Sequence, residues 1–279
     1  MSKIYIHCDG GFGNRFNVLA FGLYLAKKQS YDPTVIWPSN NWCGADFSDL
    51  FDMDIPVKQS REGINFDGTF NLVHENQFGL SHFTSIHSIN DIEDIKNISK
   101  GMDILYFNNL IPWNLVQDAE TFKSIIKSIK FKDHLINESN EIIKNNVEDD
   151  QFYGIHIRKT DFGKRSKFAE TNLLNLVVQN KSKKFFICSD DEATENLFLQ
   201  NENVFRNEKQ SYVKKLVNGD WNNSIVDSNN NEFMFNVDRP KESVIQAVID
   251  LIILSKSTII SPDVGSTFHH TAALISKCK

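Results

Sequence analysis

Several things are scarce in this 279-residue chain, and each scarcity removes a class of protein. Its four cysteines, Cys8, Cys43, Cys188 and Cys278, form no CxxC pair and no zinc-ligand spacing. So few and so scattered, they read as free thiols of a reducing compartment rather than a disulfide or zinc framework. Long apolar runs are missing too. The richest stretch, near Ala247–Leu254, contains Asp250 and is far too short to cross a bilayer. The N-terminus MSKIYIHCDGG enters a strand-like run at once, without the basic region, long apolar stretch and cleavage site of an export signal. Nor is there excess positive charge: 30 Lys+Arg against 36 Asp+Glu leave −6, which counts against a nucleic-acid-binding surface. A small anionic ligand stays open, because it needs only a few local positive groups. A cytoplasmic protein with no transmembrane segment and no nucleic-acid partner is expected; peripheral membrane association and oligomeric state stay open.

What remains is an ordinary folding composition, 41% hydrophobic and 24% charged, in a chain long enough for two domains or one large one. Lys3–Cys8 is strand-like and breaks at Asp9-Gly10-Gly11. The recurrence of Phe16, Leu19, Ala20, Leu23 and Ala26 then predicts an amphipathic helix over Asn14–Lys28. Thr34–Trp37 and Ile104–Phe107 read as strands, and Ala119–Ile129 and Asp133–Asn145 as helices. Strand, glycine turn, helix, strand is how a parallel α/β domain begins.

The same alternation restarts after the polar stretch Asn145–Asp150. Phe152–Ile157 and Lys184–Cys188 read as strands, Asn172–Val178 and Asp191–Gln200 as helices. Glu242–Lys256 reads as an apolar helix, Thr258–Ser261 as a strand, and a last helix starts near Ser266. Asn218–Asn236 reads as an exposed loop or hairpin. Two α/β domains, residues 1–147 and 148–279, are therefore expected.

Four segments carry chemistry. Asp9-Gly10-Gly11-Phe12-Gly13-Asn14-Arg15 lies between a strand and a helix, where glycines let a ligand approach backbone N–H groups and a helix start favours negative charge. The plain alternative is a tight turn with Asn14 as N-cap. The third glycine of a dinucleotide fingerprint is missing. In Gly154–Phe162, Ile155 and Ile157 alternate with His156 and Arg158, so one strand face is polar where a parallel sheet is usually covered on both. Ligands gather at the carboxyl ends of such strands, and arginine's planar fork suits a diphosphate. An Arg158–Asp161 ion pair is the structural alternative. Ser266, Thr267 and Phe268 open the last helix, where hydroxyls and free N–H groups suit an anion. A plain Ser N-cap is the alternative. Ser189, in Cys188-Ser189-Asp190-Asp191, could touch a ligand, although an acidic helix start explains that segment as well. Asp52-Met53-Asp54 has the form of a metal-binding DxD but lacks a preceding apolar strand, so no metal site is expected. The Trp37 and Trp42 rings are candidates for stacking on sugar or for core packing.

A GGxGN-type turn, an HxR-x-x-D strand end and a Ser-Thr-Phe helix start, in that order, resemble the fucosyltransferase superfamily of α1,2-, α1,6- and protein O-fucosyltransferases. The matching pieces are Gly10–Arg15, His156–Phe162, Phe185–Asp191 and Asp250–Phe268. The resemblance implies an α/β GT-B architecture of two Rossmann-like domains facing across a cleft, with the acceptor on the N-terminal side and the donor on the C-terminal one. It implies an inverting enzyme that uses GDP-fucose and needs no metal or other cofactor, with a glycan or polysaccharide as acceptor partner. Arg158 is similar to the arginine that holds the β-phosphate, His156 to a histidine near the nucleoside, and Asp250 to an acid that reads the guanine edge. Ser266, Thr267 and Phe268 match a phosphate-binding segment, and Asn14, with Gly11 and Gly13, the N-terminal turn. Gly11 stands where protein O-fucosyltransferases have arginine, and Lys159-Thr160-Asp161-Phe162 departs from the α1,2 branch, so neither acceptor handling nor linkage carries over.

The residues suit this chemistry on their own terms. Negative charge grows on a departing diphosphate, and Arg158 with the Ser266–Thr267 helix start could stabilise it. Inversion needs a base, for which Asp9 and Asp161 are candidates. A GT-B transferase using another nucleotide sugar, or a nucleotide- or glycan-binding protein without turnover, are the competing readings.

Overall fold

Two runs of parallel strands alternate with helices, as the sequence pattern predicts. The computed structural model describes residues 2–65, 68–73, 80, 82–108, 110–148, 151–160, 163–221, 223–226, 232–233, 235–260 and 266–278, with residues 163–169 and 233 as backbone only. Among the described residues the chain forms two compact units. The first comprises Met1–Ser39, Asp46–Lys130 and Cys278–Lys279, and the second Asn40–Ala45 and Phe131–Lys277.

The first unit contains β1 (Lys3–His7), α1 (Phe12–Gln29), β2 (Asp32–Ile36), α2 (Phe47–Leu50), β3 (Val57–Lys58), β4 (Thr69–Val73), β5 (Thr84–Ser85), α3 (Ile92–Ser99), β6 (Asp103–Phe107) and α4 (Ala119–Ser128). Its sheet has the order β3-β2-β1-β6-β4-β5, and every pairing is parallel. The chain runs from β1 outward to β2 and β3 on one side, while β6 lies on the other, so strand order reverses at β1.

Helix α1 starts two residues before the expected Asn14. Gly10 turns at φ 78, a conformation that suits glycine, and Gly11 takes the N-cap position with no side-chain cap bond. The helix ends at Ser30, whose left-handed conformation turns the chain so that the Tyr31 N–H donates to the Ala26 carbonyl at 2.9 Å. Phe16, Leu19, Tyr24 and Leu25 are all buried, because α1 lies between β1 and the helices α3 and α4. Each such side chain contributes about 1.5–3 kcal/mol of apolar burial. Trp37 is fully buried, edge-on to Phe47 and Phe51, so it belongs to the core.

The second unit contains α5 (Asp133–Asn146), β7 (Tyr153–Ile157), α6 (Gly163–Gln179), β8 (Phe185–Ser189), α7 (Glu192–Phe198), β9 (Val204–Phe205), β10 (Ile225–Val226), β11 (Glu232–Phe233), α8 (Lys241–Leu254), β12 (Thr258–Ile259) and α9 (Thr267–Lys277). Its four-stranded sheet is parallel in the order β12-β7-β8-β9. Strands β10 and β11 pair antiparallel inside the asparagine-rich segment. The expected division after residue 147 leaves α5 in the first half, but α5 packs on α8 and so groups with the second unit. Residues 40–45 do likewise: the Gly44 N–H donates to the Arg239 carbonyl at 2.9 Å, and Trp42 stands edge-on to Phe235.

The alternation read in β7 is observed. Ile155 and Ile157 join Leu173 and Val177 of α6, with Ile187 and Phe198, in an apolar cluster. Gly154 points the other way, where a Cβ would fall 2.1 Å from Ser257 Oγ and 2.6 Å from Leu254 Cδ1. Gly154→Ala is therefore expected to push β7 off α8 and destabilise the chain by about 1–3 kcal/mol, read as a lower urea midpoint.

Candidate functional site

In the second unit, β7 leads to β8 and β9 on one side while β12 lies on its other side, so the strand order reverses between β7 and β12. Ligands of open parallel sheets bind outside the carboxyl ends of strands at such a reversal. His156 and Arg158 stand at that end of β7, and Ser266 and α9 follow β12 after residues 261–265, which lie outside the described residues. The sequence-expected pieces thus come together: the His156 ring stacks on Phe268 with centroids 4.9 Å apart and planes 29° apart. Thr267, next to Phe268, accepts the Thr271 hydroxyl on its carbonyl at 2.8 Å, inside the helix.

His156 is buried, and burial lowers its pKa from 6.5 to about 3, with His269, Arg158 and Lys209 pushing the same way. The imidazole is neutral at physiological pH. Arg158 is half-buried, directly after the last residue of β7. Ser266 is buried, its carbonyl accepts the His270 N–H at 3.1 Å, and its Oγ finds no hydrogen-bond partner among the described residues. A hydroxyl in that condition at a helix start is equipped to donate to an anion.

Ser189 ends β8. Its Oγ accepts the Asp191 N–H at 3.1 Å, and Asp191 caps α7 by accepting the Thr194 N–H at 2.8 Å, so the helix-start reading accounts for this pair. The Ser189 backbone is held more firmly. Its N–H donates to Glu195 Oε1 at 2.7 Å, and its carbonyl accepts from Lys209 Nζ at 2.8 Å. Lys209 also pairs with Asp250 Oδ2 at 2.7 Å and with Glu195, while the Tyr212 hydroxyl donates to Glu195 Oε2 at 2.6 Å. Burial raises Asp250 to about 7 against the pull of Lys209, and the Glu195 charge adds to the rise. Burial works against the charge of Lys209, but Asp250 and Glu195 outweigh it and hold the ammonium above the ordinary lysine range. Asp250 Oδ1 makes no well-formed hydrogen bond among the described residues, although the Asn207 side chain lies close enough to pull the Asp250 pKa down.

In the first unit, Asp9 follows the end of β1, where that sheet reverses. Its Oδ1 accepts the Gly10 N–H at 2.7 Å and lies 3.6 Å from Arg15 Nη2. Arg15 is fully buried, donates to the Gly10 and Pro38 carbonyls at 2.7 Å, and lies over Trp37. It braces the turn. A Cβ on Gly11 would meet nothing within 4 Å, so the helix start is open there, and Gly13 is buried in the first turn. Asn14 occupies that turn as well, inside the helix rather than at its cap, with Oδ1 lacking a hydrogen-bond partner among the described residues. His7, behind Asp9, is lowered to about 4, chiefly by burial and in part by Arg61, with Asp9 opposing. Asp161 lies outside the described residues. Asp52 and Asp54 are exposed on irregular chain.

Sequence reasoning missed Lys209, Glu195 and Arg61. Glu195 is one of several acids in a short helix, and nothing local marks it as the buried one. Lys209 and Arg61 sit in irregular segments, where periodicity says nothing.

The fold and these two sheet reversals define a pair of parallel α/β units, each with ligand-type features at strand carboxyl ends. Solved structures with this fold include the NodZ α1,6-fucosyltransferase co-crystallised with GDP. It is 15% identical with a TM-score of 0.63, over 99% of this chain and 93% of that one. They also include the fucosyltransferase NodZ from Bradyrhizobium, with a TM-score of 0.62 at 15% identity and the same coverage. POFUT1 in complex with GDP-fucose superposes with a TM-score of 0.53 at 14% identity, over 98% of this chain and 94% of that one. The fold is thus one shared with these solved fucosyltransferases, and its two parallel α/β units are of the class that the sequence pattern predicts. No family model and no curated protein matches the sequence itself. Among the described residues, no helix is long and apolar enough to cross a membrane.

Two outcomes follow from the buried charges. His156 holds a proton in the unfolded chain below pH 6.5 but in the folded one only near pH 3, so its contribution is full above 6.5 and lost as pH falls. His156→Phe is expected to flatten the acid limb of stability by a slope approaching ~1.4 kcal/mol per pH unit between those values, measured by urea unfolding. Lys209→Ala leaves two buried carboxylates facing each other and is expected to cost about 3–5 kcal/mol in the same assay at pH 7.5.

Proposed function

We propose that this protein is an inverting, metal-independent glycosyltransferase that moves fucose from GDP-fucose to a glycan or polysaccharide acceptor. The observation that carries this reading is the meeting of the β7 end with the α9 start, where His156 stacks on Phe268 at the reversal of strand order. Arg158 and the Ser266 hydroxyl flank that contact along the chain, a cation and a donor without a partner among the described residues, suited to a diphosphate. NodZ, with the same fold, was solved with GDP and with GDP-fucose.

In the proposed reaction the acceptor oxygen bonds to the anomeric carbon from the face opposite the leaving group. The bond from that carbon to the β-phosphate oxygen breaks, and GDP leaves with the electron pair. Arg158 and the first-turn N–H groups of α9, with Ser266 and Thr267, meet the growing charge on the diphosphate. The neutral His156 ring and Phe268 form the wall beside the nucleoside. Asp250 offers its second oxygen, Oδ1, to the N–H edge of guanine, while Lys209 holds the first. The acceptor proton goes to a carboxylate, with Asp9 and Asp161 as the two candidates. Gly11, Gly13 and Asn14 line the open helix start of the first unit, which we assign to the acceptor, and Ser189 supports the donor unit from β8. The cytoplasm is the compartment we assign, in keeping with four buried free cysteines.

Calorimetry in EDTA is expected to show GDP binding, with Arg158→Ala weakening it sharply and slowing transfer on the order of 10²–10³-fold. UDP binding without GDP binding would contradict the fucose reading. GDP-fucose binding with neither transfer nor hydrolysis, across a broad acceptor panel, would identify a binder instead.

A further inference from the structure

Asp190, the first residue after β8, has no part in the chemistry above, yet its carboxylate is fully occupied by the chain that follows Arg158. Oδ1 accepts the Lys159 N–H at 2.7 Å. Oδ2 accepts the Thr160 hydroxyl at 2.5 Å and, more weakly, the Thr160 N–H at 3.4 Å. The Lys159 N–H belongs to the peptide group that joins Arg158 to Lys159, so the first bond fixes the backbone rotation of Arg158 itself. With β7 holding the residue from the other side, the bond restrains both backbone torsions of Arg158, and rotation about its N–Cα bond is what would otherwise swing the guanidinium. Bonds to a charged acceptor are about twice as strong as neutral ones, which suits a restraint of this kind.

The clasp is anchored from behind. The neighbouring Ser189 is tied through its N–H to Glu195 and through its carbonyl to Lys209, and β8 pairs with β7 up to Ile157 and Ser189. On the other side Thr160 is buried, and Lys159 pairs through its Nζ with Glu170 of α6. The strand end carrying Asp190 is thus rigid, and the segment it grips is the one that presents Arg158.

We propose that Asp190 is a positioning residue for Arg158, holding the guanidinium where a nucleoside diphosphate meets it without touching the ligand. The proposal rests on the donor reading given above, and it assigns to Asp190 a share of diphosphate recognition specifically. A purely structural strand-end bond would instead affect folding, and all ligands alike.

The test compares GDP with guanosine, which lacks the diphosphate, by calorimetry and ligand-observed NMR on the full chain. Wild type, Arg158→Ala, Asp190→Ala and the double variant form a cycle. Asp190→Ala is expected to weaken GDP roughly tenfold while changing guanosine less than about twofold, and to add nothing once Arg158 is alanine. Equal losses for both ligands, or full additivity with Arg158→Ala, would overturn the positioning role. If Asp190→Ala fails to fold, Asp190→Asn carries the test, since it keeps the size of the side chain but takes the charge from the acceptor of the Lys159 N–H. A loss for GDP but not guanosine supports the proposal, and unchanged GDP affinity overturns it. A wild-type chain that binds no GDP would overturn the donor reading itself. GDP binding that responds to Arg158→Ala but not to Asp190→Ala overturns only the role of Asp190.

Discussion

The parallel pairing of β7 with β8 on one side and β12 on the other is the constraint on which the second unit depends. Parallel strands direct all their carboxyl ends to one edge, and the helices that follow begin there. The order reverses between β7 and β12, and at that reversal the end of β7 meets the start of α9 through the His156–Phe268 contact. No single one of these residues would define a site. Their convergence comes from strand order, which needs the apolar face of Ile155 and Ile157 on α6 and the close approach of Gly154 to α8.

The side chains behind that edge carry charge where a core is usually apolar. Lys209, Asp250 and Glu195 are all nearly inaccessible to solvent, and the ammonium makes contacts with both carboxylates and the end of β8. An apolar cluster of the same volume would often be as stable or more so. The charges do something an apolar cluster could not: they fix the backbone of Ser189 and leave Asp250 Oδ1 without a well-formed hydrogen bond among the described residues. In the proposed donor site this fixed strand end would support the ligand as well as the fold, from α7, α8 and the irregular chain around residue 209.

Much of the frame was legible in the sequence. Apolar alternation located β1, β7 and β8, and the glycine turn and three-four spacing located α1, apart from its first two residues. Short edge strands such as β3, β5 and β9 carry two residues each and leave no period to detect. Strand β4 and helix α3 fall between segments with stronger patterns and were not anticipated. For the site, the polar face of His156 and Arg158 was visible because it broke an expected apolar pattern. The clasp by Asp190 was half visible, in an acid doublet after a strand, but its partners lie about thirty residues away in sequence and meet it only through β7–β8 pairing. Lys209 offered no local signal at all. Its role exists only once α7, α8 and β8 are packed.

Asp9 illustrates the limit of spacing. It follows a strand and precedes a helix start, which suits a base, a cap and a brace equally. In the folded chain its carboxylate contacts Gly10 and faces the buried Arg15, so part of its function is to hold the turn. The most direct measurement of the central claim is the crystal structure of the chain with bound GDP. The account predicts the diphosphate between the end of β7 and the first turn of α9, within hydrogen-bond distance of Arg158 and Ser266. A diphosphate bound elsewhere, with Arg158 and Ser266 out of reach, would contradict it.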